Sequence, residues 1–538
     1  MQHLARALHY LNRSKIVSAD IMANKALFAS TRGPHQVQVN TFNREGAGAY
    51  DYFSKHKLAQ YAATGCLSNT FYATAAEQLE TVLQLAQELE PEFLAKAAVY
   101  ARKTVHMKDV PALLLAVLST KSPAVLKKAF PQVVDNGRML RNFVQIMRSG
   151  VVGRKSLGSM PKALVRQWLD TANERVLIDA TVGTSPSLKD VVRLVHPKPT
   201  DASREAFYGW LLGKPHLFER LPQALQALKF FELDRSQEIP YVPFQMLTAL
   251  KLNSEEWAQV ALRGGWHMLR MNLNTFARHG VFMLPGVAEQ IAEKLCSREA
   301  IKRARVLPYQ LLIAHSSLDA GVPKNVRVAI ERAMEIALEN VPSFRGRVVV
   351  CPDVSGSMSS PLTGQRGSAT SAVRCIDVAA LIAAAVMKAN LEAQVLPFAE
   401  RVREVSLSAR ATVMENANKL ASMGGGGTNC SAPLEWLLRH GAQADLIILV
   451  SDNQSWVDAR IHGASETMRL WSLFGQRNPK AKLVCIDLQP YGTTQAVEST
   501  DVLNVGGFSD EVFKIVRLFA RDELGPHHWM GQIEAVKV

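Results

Sequence analysis

Five residues in the last third of the chain could hold a hard metal ion through oxygen alone. Asp353, Ser355 and Ser357 alternate in a short loop after the apolar run Val348, Val349 and Val350. Alternate residues of a tight loop can aim one carboxylate and two hydroxyls at one point. Thr428 follows Gly424 to Gly427, glycines that let backbone approach closely. Asp452 ends the apolar run Leu446 to Val450. Two carboxylates, three hydroxyls and water make an octahedral oxygen site suited to Mg²⁺ or another divalent cation. Asn453, beside Asp452, is placed to support it. A D-x-S-x-S string alone is weak evidence, because Asp and Ser also build local turns; the conjunction of loop, glycine-flanked threonine and strand-end aspartate carries the reading. The same acids could serve a metal-dependent hydrolase. Against that, Asp353 lacks the second aspartate two residues on that a phosphoryl-transfer loop would supply, and the sequence holds no G-x-x-x-x-G-K-[ST] string. No Cys-His or Ser-His-Asp set is identifiable by spacing either, so a binding protein and not an enzyme is expected.

The elements around these residues change character near Ser343 to Gly346. Beyond that point, apolar runs (Val348 to Val350, Val395 to Phe398, Leu446 to Val450, Leu483 to Leu488) alternate with helical stretches such as Ala379 to Ala389. Strands alternating with helices imply a parallel, doubly wound sheet, in which ligands bind at the carboxyl ends of the strands. Asp353 and Asp452 stand at such ends. Before that point the chain reads as helix after helix, with almost no strand-type alternation. Thr74 and Glu77 form a capping box; Pro91, Pro111 and Pro123 open helices; Gly150 ends one. Short helices arriving every 15 to 20 residues suggest stacked pairs, a HEAT-like α-solenoid, although an irregular helical domain fits the same pattern. The expected division is 1–345 helical and 346–538 α/β, since 538 residues exceed what one core organises.

Charge is divided in the same way. The chain carries 62 Lys and Arg against 48 Asp and Glu, net +14. From Gly346 onward there are 18 basic and 19 acidic residues, leaving 44 and 29 before it. The whole excess therefore lies in the helical part, which suggests a polyanion site there; a surface tuned for solubility is the plainer alternative. The six cysteines include no C-x-x-C pair and read as reduced thiols. The segment Met1 to Asp20 lacks the apolar core of a signal peptide, and Val378 to Met387 is too short to span a bilayer. A cytoplasmic monomer with no membrane contact is expected.

A helical amino-terminal part joined to a loop of this kind resembles the Ro (SS-A) autoantigen family, including its bacterial members. The strings that carry the likeness are Val306 to Ala314, Arg193 to Pro199, Met268 to Leu273 and Gly427 to Ser431. The metal-loop pattern is similar to the metal-ion-dependent adhesion site of von Willebrand A domains. The resemblance covers the chain from about Asn40 and implies a TROVE module, a ring of HEAT-like repeats, clasped by an A-like domain. It implies two modes of RNA binding. Single-stranded 3′ ends of misfolded noncoding RNA enter the ring, and an outer basic surface holds duplexes, including Y-like RNA. It also implies an exoribonuclease partner reached through tethering RNA, and a metal whose open position takes an acidic group of a protein partner. Asn429 departs from the family, whose animal members carry an acid there.

Two sets of cations are the candidates for RNA contact. Arg148, Arg154, Lys155, Lys162 and Arg166 fall in a glycine-rich, acid-poor stretch, followed by Arg193, His196 and Lys198. His196 matches a family position associated with Y RNA, though a histidine before Pro197 also suits a helix cap. Arg263, Arg270, Arg278, Lys302, Arg303 and Arg305 form the second set, which could line a hole. Shape and single-strandedness are expected to matter more than base sequence. A Mg²⁺-dependent protein-interaction module on a helical scaffold remains the alternative. Lys103 and His106 are assigned to neither reading.

Overall fold

A computed structural model of the chain describes residues 37–64, 67–304, 306, 308–362, 373–456, 464–508, 510–525 and 527–538. The Met1 to Asp20 segment, Cys66 and Arg305 lie outside them.

The helices begin and end where local chemistry requires. Thr74 accepts the Glu77 amide at 3.2 Å and the Glu77 carboxylate accepts the Thr74 amide at 2.7 Å, opening Ala75–Glu88. Pro91 is the first residue of Pro91–Lys103, where its missing N–H costs nothing. Gly150 closes Gly137–Ser149 at φ 87°, a left-handed conformation that favours glycine. Asp109–Lys121 starts two residues before Pro111, which sits within its first turn. Each helix packs chiefly on near neighbours: Pro91–Lys103 lies against Asp109–Lys121 and Pro123–Val133, and Asp109–Lys121 against Gly137–Ser149. Leu94, Leu114, Leu118, Leu126 and Phe143 are fully buried between them, and Phe130 meets Phe143 edge-on with ring centres 5.2 Å apart. This local, stepwise burial is the α-solenoid arrangement.

Two short strands precede the helices, β1 (Thr41–Phe42) and β2 (Gly48–Asp51), a hairpin that the helix-only reading of this part missed. The α/β part holds β3 (Val348–Pro352), β4 (Gln394–Val395), β5 (Leu446–Ser451), β6 (Lys482–Asp487), β7 (Thr493–Thr494) and β8 (Val502–Gly506). The main sheet runs β4-β3-β5-β6-β8, every pairing parallel. Both faces are covered, so every residue of β3, β5 and β8 is buried, which is why these strands read as continuous apolar runs. β4 is shorter than the Val395 to Phe398 run, yet the Leu396 and Phe398 amides still donate to the Val350 and Pro352 carbonyls at 2.9 and 3.1 Å, so Pro397 is tolerated on this edge strand. The helix Cys375–Ala389 starts earlier than its alanines suggest, because the Asp377 carboxylate accepts the Arg374 amide at 2.8 Å. The Val378 to Met387 stretch lies wholly buried in this helix. No helix of the described residues is long and apolar enough to cross a membrane.

The α/β part grips both ends of the helical run. At one end β2 pairs with β7, and the Ser54–Thr64 helix packs on β8 and on the last helix, His528–Glu534. That last helix also lies on Pro91–Lys103, where the Trp529 indole donates to the Tyr100 hydroxyl at 3.0 Å. At the other end, Lys324–Ala337 packs on Val413–Ala421 and Pro308–Ser316 packs on Cys375–Ala389. The Val413 amide donates to Glu335 at 2.8 Å. The helical run is thereby closed into a ring by the sheet domain.

Candidate functional site

The metal loop is built at the carboxyl edge of the central strands. The Asp353 amide donates to Val450 at 2.9 Å, continuing the β3–β5 pairing past the end of β3. The loop then turns under the glycine run: the Gly356 amide donates to the Gly426 carbonyl and the Gly425 amide to the Val354 carbonyl, each at 2.9 Å. A Cβ on Gly427 would come within 2.4 Å of the Trp456 indole nitrogen, so this approach needs a residue without a side chain.

Asp353, Ser355, Ser357, Thr428 and Asp452 are all buried. Asp353 Oδ1 accepts the Ser355 amide at 2.8 Å and Oδ2 accepts the Ser451 hydroxyl at 2.6 Å. The Ser355 and Ser357 hydroxyls are 3.3 Å apart, and Ser357 lies beside Asp452. Asp452 Oδ1 accepts the Gln454 amide at 3.3 Å, whereas Oδ2 is buried with no partner. The Thr428 carbonyl accepts the Trp456 amide at 3.1 Å and anchors that residue behind the glycines. Burial, then the charge of Asp353, pushes the Asp452 carboxyl up to about 7, and burial also raises Asp353. Two adjacent carboxylates held away from water, one with an unsatisfied oxygen, fit a divalent cation. Among the described residues no group of three or more His, Cys, Asp or Glu is placed to hold a metal, so an ion here would depend on the hydroxyls and water, as Mg²⁺ does.

The surroundings of this loop hold several residues that sequence reasoning missed. The Asn43 side chain donates through Nδ2 to the Ser455 carbonyl at 2.5 Å, and the Arg44 backbone amide donates to the Gln454 side chain at 2.8 Å. The Tyr72 hydroxyl donates to Glu45 and lies close to Ser357 and Asp452. Tyr72 also meets Tyr491 edge-on at 5.3 Å. Asn453 supports the site through two bonds: its amide donates to the Ser451 hydroxyl at 3.1 Å and its side chain to Asp487. Asn429 accepts from the Ser431 amide and hydroxyl and so orders the start of Ala432–Arg439.

The first basic set is brought together where three helices meet. Leu188–Val195 packs on both Gly137–Ser149 and Ser159–Thr171. Arg148 and Arg193 both draw down the Asp190 carboxyl, after its own Ser187 bonds. Arg166 donates to the Val195 carbonyl at 2.5 Å, beside His196, which ends that helix exposed at φ 49°. Arg154 is committed to Ser119, donating to its hydroxyl at 2.8 Å. Lys155 lies over Gly150 and Lys198 is exposed. Lys155, Lys162 and Lys198 enter no ion pair with the described residues.

The second set is less uniform. Arg263 pairs with Glu238 at 2.6 Å, Arg270 donates to the Gln310 carbonyl at 2.7 Å, and Arg278 to Thr275 at 3.2 Å. Lys302 and Arg303 are exposed, on a helix that packs against the one bearing Arg270. Lys108 lies close enough to His267 to act on it electrostatically alongside Arg270. Lys103 donates to Gln132 at 2.6 Å, and His106 lies beyond its helix at φ 61°.

Two family models match this architecture. Residues 347–520 match the Ro60 vWA domain and residues 246–382 match the TROVE domain. The chain carries both domains found in Ro proteins, a TROVE domain and a Ro60-type vWA domain. A curated relative, the RNA-binding protein RO60 of Deinococcus radiodurans, is 24% identical over 97% of this chain and 100% of its own length. The solved structure of the Ro (RSR) protein of the same organism is 20% identical, covers 88% of this chain and 100% of its own, and aligns with a TM-score of 0.57, which bears on the fold. Within a Ro-type protein, the five oxygen donors fall inside the stretch matched by the Ro60 vWA model, whereas the Arg148 to Lys198 set lies ahead of both matched stretches.

Proposed function

We propose that this chain is a non-catalytic RNA scaffold, holding misfolded noncoding RNA by its 3′ ends and Y-like duplexes on its outer helices. The observation that carries this reading is the placement of Arg148, Arg166, Arg193 and His196 along one short helix, Leu188–Val195, in the part of the chain that holds the whole positive excess. Clustered guanidiniums suit phosphate. The TROVE match and the printed name of the Deinococcus relative support the same reading. A cytoplasmic monomer that recruits an exoribonuclease through the tethered RNA is the corresponding assembly. Filter binding of a duplex with a single-stranded 3′ tail tests it: affinity should fall steeply with salt, and salt-independent or absent binding overturns it.

A second reading concerns the metal loop alone. The unpartnered Asp452 Oδ2 favours a bound Mg²⁺, whose open position would take an acidic group of a protein partner. In that case the helices support the loop and RNA is not required.

A further inference from the structure

A cavity of about 1010 Å³ opens where the amino-terminal segment, the loop before β8 and the last helix meet. Lys482 opens β6 and Ser499 precedes β8, so this cavity lies at the amino-terminal edge of the sheet, the edge opposite Asp353. Nothing in the metal or basic-surface readings uses it.

Its walls combine flat rings with polar atoms that lack partners. Phe53 lines the cavity with 90% of its surface exposed, which leaves a ring face open to stacking. Inside, His56 stacks on Tyr52 with ring centres 4.3 Å apart and meets Trp529 edge-on. His56 is 5% exposed, and its Nε2 has no partner. Glu498 Oε2 sits 3.4 Å from His56 Nδ1 but makes no hydrogen bond. His528 Nε2 donates to the Ser499 carbonyl at 2.8 Å, which leaves Nδ1 as a bare acceptor, also unpartnered.

The charges of the cavity are already matched. Lys55 pairs with Glu534 at 2.6 Å, Lys482 with Asp522 at 2.5 Å, and Asp51 with Lys57 at 2.7 Å. Burial pushes Glu498 up to about 8 and His56 down to about 3, so both are neutral at pH 7. Among the described residues lining it no spare Lys or Arg remains for a phosphate or carboxylate, while donors and acceptors remain for an uncharged ring.

We infer that this cavity binds a planar, uncharged, hydrogen-bonding heterocycle of the nucleobase class, stacked on Phe53 and read by Glu498, His56 and His528. The volume suits a nucleoside, and ring-on-ring stacking tolerates any base. The base could arrive as a free nucleoside or as an unpaired residue of an RNA. Independence from the basic surface separates this inference from the scaffold proposal.

The test titrates adenosine, guanosine, cytidine and uridine against the full-length chain by calorimetry and by saturation-transfer NMR. A parallel arm photocrosslinks a short single-stranded RNA carrying 4-thiouridine and maps the adduct. At least one nucleoside should bind saturably. Phe53→Ala, at an exposed position, should weaken it at least about tenfold with an unchanged melting temperature. Glu498→Gln should alter the preference among the four bases. A double Lys162→Ala/Arg166→Ala variant should leave nucleoside binding intact whatever it does to duplex RNA. A crosslink within Tyr52 to His56 without nucleoside binding assigns the base to RNA. Absence of both nucleoside binding and a crosslink there, or equal nucleoside affinity in Phe53→Ala, overturns the inference.

Discussion

The Ser451 hydroxyl donates to Asp353 Oδ2 at 2.6 Å and so holds the first acid of the metal loop against the strand that delivers the second, Asp452. The two carboxylates are thereby fixed close together before any ion arrives. Their mutual repulsion is a cost that a cation removes.

Metal dependence follows. Mg²⁺ at about a hundred times its dissociation constant should stabilise the native chain by about 2.7 kcal/mol. Asp353→Ala should abolish this Mg²⁺-dependent rise in melting temperature. Asp452→Asn, measured in chelator, should melt above the parent, because one of two facing buried charges is gone. An undiminished Mg²⁺ shift in Asp353→Ala would remove that residue from the site.

Affinity for duplex RNA should divide the basic residues by their occupation. Arg148→Ala and Arg193→Ala together should flatten the dependence of log K on log salt by about 1 to 2, as phosphate contacts are lost. Arg154→Ala should leave that slope unchanged while costing stability, because its guanidinium braces Ser119. The salt series on the three proteins decides; an identical slope in the Arg148/Arg193 double variant places phosphate elsewhere.

Stability should pass through a maximum between about pH 4.5 and 6.5. Glu498 has a folded pKa near 8, above its ordinary value of 4.5, so its contribution is complete below 4.5 and is lost as pH rises through 8. His56 has a folded pKa near 3, below 6.5, so its contribution is complete above 6.5 and is lost as pH falls toward 3. Glu498→Gln should remove the alkaline decline and leave the acidic one. Melting curves at pH 5, 7 and 9 compare the two arms; an alkaline decline persisting in full in the variant would assign it to another group.

The clasp between the ends of the chain should be sensitive to one indole. Trp529→Ala opens a cavity against His56 and Tyr100 and should cost about 3–5 kcal/mol. Tyr100→Phe should cost about 1–3 kcal/mol by stranding the indole N–H. Denaturant unfolding of the full chain measures both; equal costs would show that packing is not the larger part.

The parts legible in the sequence were those with continuous local signals. β3, β5 and β6 announce themselves as buried apolar runs, and the Asp353 to Ser357 loop by residue types at fixed offsets. The β1–β2 hairpin was invisible because two-residue and four-residue strands are too short to alternate. β8 was hidden by Asn504 at its centre, a polar residue satisfied by Thr494 and Ala496. Glu45 and Tyr72 beside the loop carry no spacing signal, since Ser357 is hundreds of residues away. Cations pose a similar difficulty: Arg166 and Arg270 each donate to a backbone carbonyl, and composition does not distinguish such an arginine from one facing phosphate.

The Trp529–Tyr100 bond spans 429 residues, and β2 waits for β7 over a comparable distance. At about 5–20 residues per second, a ribosome needs roughly 20–90 s to make the missing part. During that interval the emerging amino-terminal helices present an uncovered apolar flank. Chaperone demand should therefore fall on the helices up to Tyr100 until Trp529 has been made.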